Sequence, residues 1–164
     1  MNETQPNRPS FVQQLDRLYP VVEVICVALL LTALITQPAW RNEMLTLSLV
    51  TLAGVFFLRS FSPPKNRPEK TAGAGLFYQT MLPKLMGIGS SVCLIGFLFY
   101  ILHLHGADQM LLIGTATLAG CLAASAAAAV KSPAVFPSLL PLVLRVVLVA
   151  GLGAYGLYRL NFFN

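Results

Sequence analysis

Five stretches of the chain are apolar almost throughout, and the polar residues gather between them. The stretches cover residues 19–36, 44–61, 85–102, 110–130 and 138–158. Each comes close to the ~20 residues that a helix needs to cross the hydrocarbon core of a bilayer. No strict alternation of apolar and polar positions breaks them up, and they are too long for buried strands. In lipid the backbone must satisfy its own hydrogen bonds, which leaves the helix as the form such runs take. The pattern predicts an all-α, polytopic integral membrane protein with five transmembrane helices, arranged as two hairpins and one further helix.

The polar intervals set the boundaries. Residues 1–18 form a tail in which Phe11, Leu15 and Leu18 fall at helical spacing among Gln13, Gln14, Asp16 and Arg17, a short interfacial helix. Residues 19–61 are the first hairpin, with Trp40 at its corner as an interfacial anchor. Residues 62–84 are a basic linker carrying Pro63, Pro64 and Pro68, extended at first, with Phe77 and Met81 returning to the interface. Residues 85–130 form a second, tight hairpin, and 131–164 hold the fifth helix and a short C-terminus. Pro83 and Pro141 each follow a leucine near the start of a helix. The first span resembles a signal sequence in length, but no A-x-A-like cleavage site follows it and it carries Glu23, so it is expected to be retained.

Composition supports lipid as the solvent. Hydrophobic residues make up 56% of the chain and charged ones 10%, where a water-soluble surface needs about a quarter. The net charge of +5 does not point to nucleic acid, because the basic residues stand in short segments beside apolar runs. With the N-terminus inside, eight of them are cytoplasmic (Arg8, Arg17, Arg59, Lys65, Arg67, Lys70, Lys84, Lys131) and only Arg41 and Arg159 lie outside. That bias predicts a bacterial inner membrane protein with a cytoplasmic N-terminus and a periplasmic C-terminus.

A gap-free shift of 66 residues lays the first hairpin on the second. It matches Phe11 with Phe77, Ile35 with Ile101, Met44-Leu45 with Met110-Leu111, and Thr51-Leu52-Ala53-Gly54 with Thr117-Leu118-Ala119-Gly120. An even number of crossings separates the copies, so the repeat would be parallel.

Few residues could carry chemistry. Glu23 and Arg145 lie deepest inside spans, both in the cytoplasmic third. An uncompensated charge near a helix centre costs about 2.5–3.5 kcal/mol, so the two either face one another across helices one and five or snorkel separately to the headgroups. His103, His105 and Asp108 form H-L-H-G-A-D between the arms of the second hairpin. Residues two apart do not share a helix face, and the ligand set is thin for zinc. Capping accounts for the corner better: Gly106 ends helix three, Asp108 caps helix four, and His103 sits at the interface. Ala116, Gly120, Ala124 and Ala128 recur every four residues on helix four, a face along which a backbone can come close, within the chain or from another subunit. Gly87 and Ser91 offer the same on helix three, as does the 151–156 segment on helix five. Cys26, Cys93 and Cys121 all fall inside spans, without the spacing of a metal site or the even number of a disulfide framework, and read as small packing residues.

The second hairpin resembles the transmembrane hairpin of GldL, the inner-membrane subunit of the gliding-motility and type 9 secretion motor of Bacteroidetes. The resemblance rests on Gly87, Gly89, Ser91, Val92, Gly96, Leu98, Phe99, Ile101, His103, Gly106, Ala107, Met110, Leu111, Ile113, Gly114 and Thr117, over about a fifth of the chain. Its most distinctive part is the His-x-x-Gly-Ala-x-x-Met-Leu corner. Where that family places a membrane-buried glutamate coupled to the ion gradient this chain has Leu118, its lysine is Tyr100, and its Trp-Pro is Leu104-His105. The resemblance therefore implies a shared hairpin design without the ion-driven engine.

There is no P-loop, no G-x-S-x-G elbow, no H-E-x-x-H and no intramembrane Asp pair. Nor do Gly-Pro breaks interrupt the spans as they do at transport sites. The expectation is a non-catalytic membrane scaffold or accessory subunit that works through helix packing, needs no cofactor or metal, and has lipid and another membrane subunit or itself as partners. The alternative is a small transporter or ion-conducting subunit using Glu23, Arg145 and His103.

Overall fold

Helices follow the apolar runs. In the computed structural model, which describes residues 10–36, 39–61, 77–131 and 136–160, five long helices form: α1 (Ser10–Thr36), α2 (Arg41–Phe61), α3 (Leu82–Ile101), α4 (Ala107–Lys131) and α5 (Phe136–Arg159). No strand occurs among the described residues. Four helices are long and apolar enough to cross a membrane: α2, α3, residues 107–130 of α4 and residues 140–159 of α5. The apolar stretch of α1 among the described side chains, Leu18–Ala33, is shorter.

Some boundaries differ from the sequence expectation, for local reasons. The backbone is helical from Ser10 straight through Pro20, so the interfacial turn and the first span are one helix. The side chains of Phe11 and Leu15 lie outside those described. Most of the linker, residues 62–76, also lies outside the described residues, as do the tail before Ser10 and the segment 132–135. What precedes α3 is one π-helical turn, Phe77–Met81, and α3 itself starts at Leu82, with Lys84 inside it. Pro83 occupies the first turn, where its missing N–H would have no partner in any case.

The central element is α3, which packs against α2, α4 and α5, whereas α1 packs chiefly on α2. Glycines place it there. A Cβ on Gly87 would lie 2.7 Å from the Cβ of Ser60, and the Ser91 hydroxyl lies 2.9 Å from the Ala53 carbonyl oxygen, to which it can donate across the α2–α3 seam. On the α4 side, Gly89 meets Leu118, Cys93 meets Gly114, and Gly96 meets Met110 and the backbone N of Leu111. Successive contacts climb α3 as they descend α4, an antiparallel seam in which seven residues separate Gly89 from Gly96, two turns of helix. Helix α5 runs parallel to α3, with Gly153 over Cys93 and Gly156 over Phe97. Cys93, fully buried, stands where three helices meet, its Sγ 3.5 Å from the Val149 carbonyl oxygen and 3.9 Å from Thr115 Oγ1.

Under the 66-residue shift the burial of α2 and α4 agrees over residues 44–52 and 110–118 and departs beyond them, where Ala53 and Ser60 are buried but Ala119 and Ala126 are exposed. Leu45 and Leu111, Ser48 and Gly114, and Leu52 and Leu118 are buried in both, while Leu47 and Ile113, and Val50 and Ala116, face outward in both.

Candidate functional site: a carboxylate between two arginines

The antiparallel seams put the start of α3, the end of α2 and the start of α5 at one end of the bundle. There the Glu23 carboxylate of α1 meets two guanidiniums. Arg145 Nε lies 3.1 Å from its Oε1, and Arg59 Nη1 lies 3.8 Å from its Oε2. Of the two arrangements open from sequence for Glu23 and Arg145, the structure has the pair. Arg59, two residues before the end of the first hairpin's second arm, joins it because that arm returns to the level of Glu23 on α1. Glu23 is the most covered of the three, its side chain 15% exposed against 31% for Arg145 and 45% for Arg59. Three helices, α1, α2 and α5, are thus tied at one level by charge-assisted contacts.

Sequence reading missed Arg59 as a partner. It stands near the end of a span, where a basic residue is explained well enough by orientation alone. The available signal was the hairpin itself, which brings residues just inside its two outer ends to the same depth.

The corner of the second hairpin is built differently from the capping expectation. Leu104 donates its N–H to the Phe99 carbonyl oxygen at 2.9 Å and His103 donates to that of Tyr100 at 3.2 Å, the pair of bonds of a Schellman motif. His103, not Gly106, therefore ends α3, and it takes the left-handed conformation with φ +53°. Gly106, at φ +85°, instead precedes α4 and its carbonyl accepts the first bond of that helix from Met110 N–H at 3.1 Å. Asp108 consequently lies inside the first turn of α4, exposed, where its charge complements the helix dipole from within rather than as the cap. His103 and His105 are both exposed. Among the described residues no three His, Cys, Asp or Glu side chains gather as a metal site would need.

His103 does not share a site with Glu23 and Arg145. The parallel α3–α5 contacts put Arg145 near the level of Leu85 and Met86, about 25 Å below His103 at 1.5 Å rise per residue. A function drawing on all three residues at once has no common locus.

The small-residue face of α4 is divided. Ala128 is buried and Ala124 half-buried, but Ala116 and Gly120 face outward, and a Cβ on Gly120 would meet nothing within 4 Å. Within the chain the face packs at Ala124 and Ala128 and not at Ala116 and Gly120. α3 meets α4 along Met110, Gly114 and Leu118, a line offset by about half a turn from Ala116 and Gly120. Of the small residues noted on the other helices, Gly87, Ser91, Gly153 and Gly156 are at seams, while Gly151 is open.

No family model matches the chain, and no curated protein or solved structure matches it either.

Proposed function

We propose that this chain is a non-catalytic scaffold or accessory subunit of a bacterial inner membrane, crossing it five times with the N-terminus cytoplasmic and the C-terminus periplasmic. The observation that carries this reading is where the polar groups go. Glu23, the only carboxylate well inside a span, is engaged by two arginines, and Ser91 and Cys93 reach carbonyls of neighbouring helices. The chemistry available is used to hold helices together.

Two further features agree with it. α1 makes the fifth crossing over residues 19–36, about 27 Å of helix, with its polar first turns at the headgroups. The matched burial of the first halves of α2 and α4 supports a parallel repeat of two hairpins, with α5 added. The GldL-like residues of the second hairpin fit the same picture: Gly89, Gly96, Met110, Leu111, Gly114 and Thr117 lie along one seam, so the resemblance lies in how the arms pack. Leu118, at the position of that family's glutamate, is fully buried on Gly89 and offers no ionisable group. The outward half of the α4 small-residue face, Ala116 and Gly120, is the part left for another subunit or a second copy.

Proton flux in liposomes tests the proposal against ion conduction. The scaffold reading expects no flux in the wild type or in Glu23→Gln. A wild-type flux abolished by Glu23→Gln would overturn it. Alkaline phosphatase fused to the C-terminus should be active, as only a periplasmic terminus allows.

A further inference from the structure

We infer that Arg59 and Arg145, braced by Glu23, form a headgroup site for an anionic phospholipid. The inference rests on the reading that this end of the bundle lies at a membrane surface. Two guanidiniums share one carboxylate, so the cluster keeps one net positive charge among the described residues that build it. The carboxylate is turned inward and covered, whereas both guanidiniums are partly open, Arg59 most of all. Arg145 approaches Glu23 through Nε, at 3.1 Å, with its side chain about a third exposed, and Arg59 is held loosely, at 3.8 Å, through one Nη. Planar forks of this kind suit a phosphate, which they can grip with two parallel N–H bonds.

The surroundings select the kind of phosphate. Phe57, Leu58 and Phe61 stand exposed beside Arg59 in sequence, and Leu144 and Val147 beside Arg145. An apolar surface running away from a cationic group, at the level where helices leave the bilayer, accommodates a phosphodiester together with its acyl chains. Free phosphate would meet the charge but leave that surface unused. Lys84, half-buried in the first turn of α3 at the same end, adds to the positive field. Arg41, at the start of α2, and Arg159, at the end of α5, are at the opposite end.

The test uses the full chain purified into nanodiscs of phosphatidylcholine containing a minor fraction of phosphatidylglycerol, with the lipids that stay bound counted by native mass spectrometry. The wild type should retain phosphatidylglycerol in preference to phosphatidylcholine. Arg59→Gln should retain about fivefold less, the fold-change for losing about one basic residue near an anionic surface. Arg159→Gln, at the far end, should behave as wild type, and Arg59→Lys should fall between, keeping the charge without the fork. Millimolar inorganic phosphate should not displace the lipid. Equal retention in wild type and Arg59→Gln, equal loss in Arg59→Gln and Arg159→Gln, or displacement by inorganic phosphate would each overturn the site. Should Arg59→Gln fail to fold, Arg59→Lys decides: retention identical to wild type argues against the fork. Failure of the wild type to enter nanodiscs at all would overturn the membrane reading, and this inference with it.

Discussion

Gly114 of α4 lies so close to Cys93 of α3 that a Cβ on the glycine would stand 2.8 Å from the cysteine's Cα and backbone N. Both obstacles are backbone, so no side chain can swing aside. In lipid, where water does not drive helices together, such close approach is what gives dispersion contacts their reach. Gly114→Ala should therefore destabilise the protein by about 1–3 kcal/mol, outweighing alanine's better helix propensity. Gly120→Ala, on open space, should be neutral or stabilising by up to about 1 kcal/mol. Reversible unfolding in mixed detergent micelles measures both, and equal effects would mean that the α3–α4 seam is not glycine-limited.

The Glu23–Arg145 contact should appear as a coupling energy of about 1–2 kcal/mol in a double-mutant cycle. That is less than the cost of breaking a fully buried pair, because both side chains keep some exposure. The Glu23–Arg59 coupling, over 3.8 Å and with a more exposed arginine, should be at most about 0.5–1 kcal/mol. A cycle with Arg59→Gln that gave the larger value would reverse this ranking of the two arginines.

Ser91→Ala removes the hydroxyl shared between the Ala53 and Gly87 carbonyls, each at 2.9 Å. One of these acceptors is on its own helix, so the loss of the interhelical bond should be modest, about 0.6 kcal/mol. Thr46→Ala serves as comparison, since its hydroxyl bonds only to Asn42 within α2. If both substitutions cost the same, the Ser91 bond across the seam contributes nothing.

His103 occupies a left-handed backbone position that glycine adopts without strain. His103→Gly should leave the corner intact and stabilise the protein by up to about 1 kcal/mol, while the β-branched His103→Val should destabilise it. Thermal unfolding of both variants checks the sign. A loss of stability in His103→Gly would mean that the imidazole makes a contact worth more than the strain.

Much of the architecture was legible in hydropathy. The second hairpin, its short corner and the long helices of α2 and α5 follow from where apolar runs stop, because lipid excludes unsatisfied backbone whatever the side chains are. The depth of Glu23 and Arg145 was readable for the same reason, since 1.5 Å of rise per residue places each along its own helix. Their meeting was one of two open arrangements, and depth alone could not choose between them.

Rotation about each helix axis was not legible, and it decided the rest. α4 is apolar or small on every side, so no amphipathic pattern distinguishes the line through Gly114 and Leu118 from the one through Ala116 and Gly120. Only contact with α3 separates them, through shape rather than polarity. The corner differs too: sequence puts the end of α3 at the glycine, yet the closing bonds fall at His103 and Leu104, and Gly106 opens α4 instead. The chain's own letters therefore determined how many apolar helices form and at what depth their charges lie. Which faces meet, and that Arg59 completes the cluster around Glu23, came only from the packed bundle, because close approach of backbones depends on neighbours that no single helix contains.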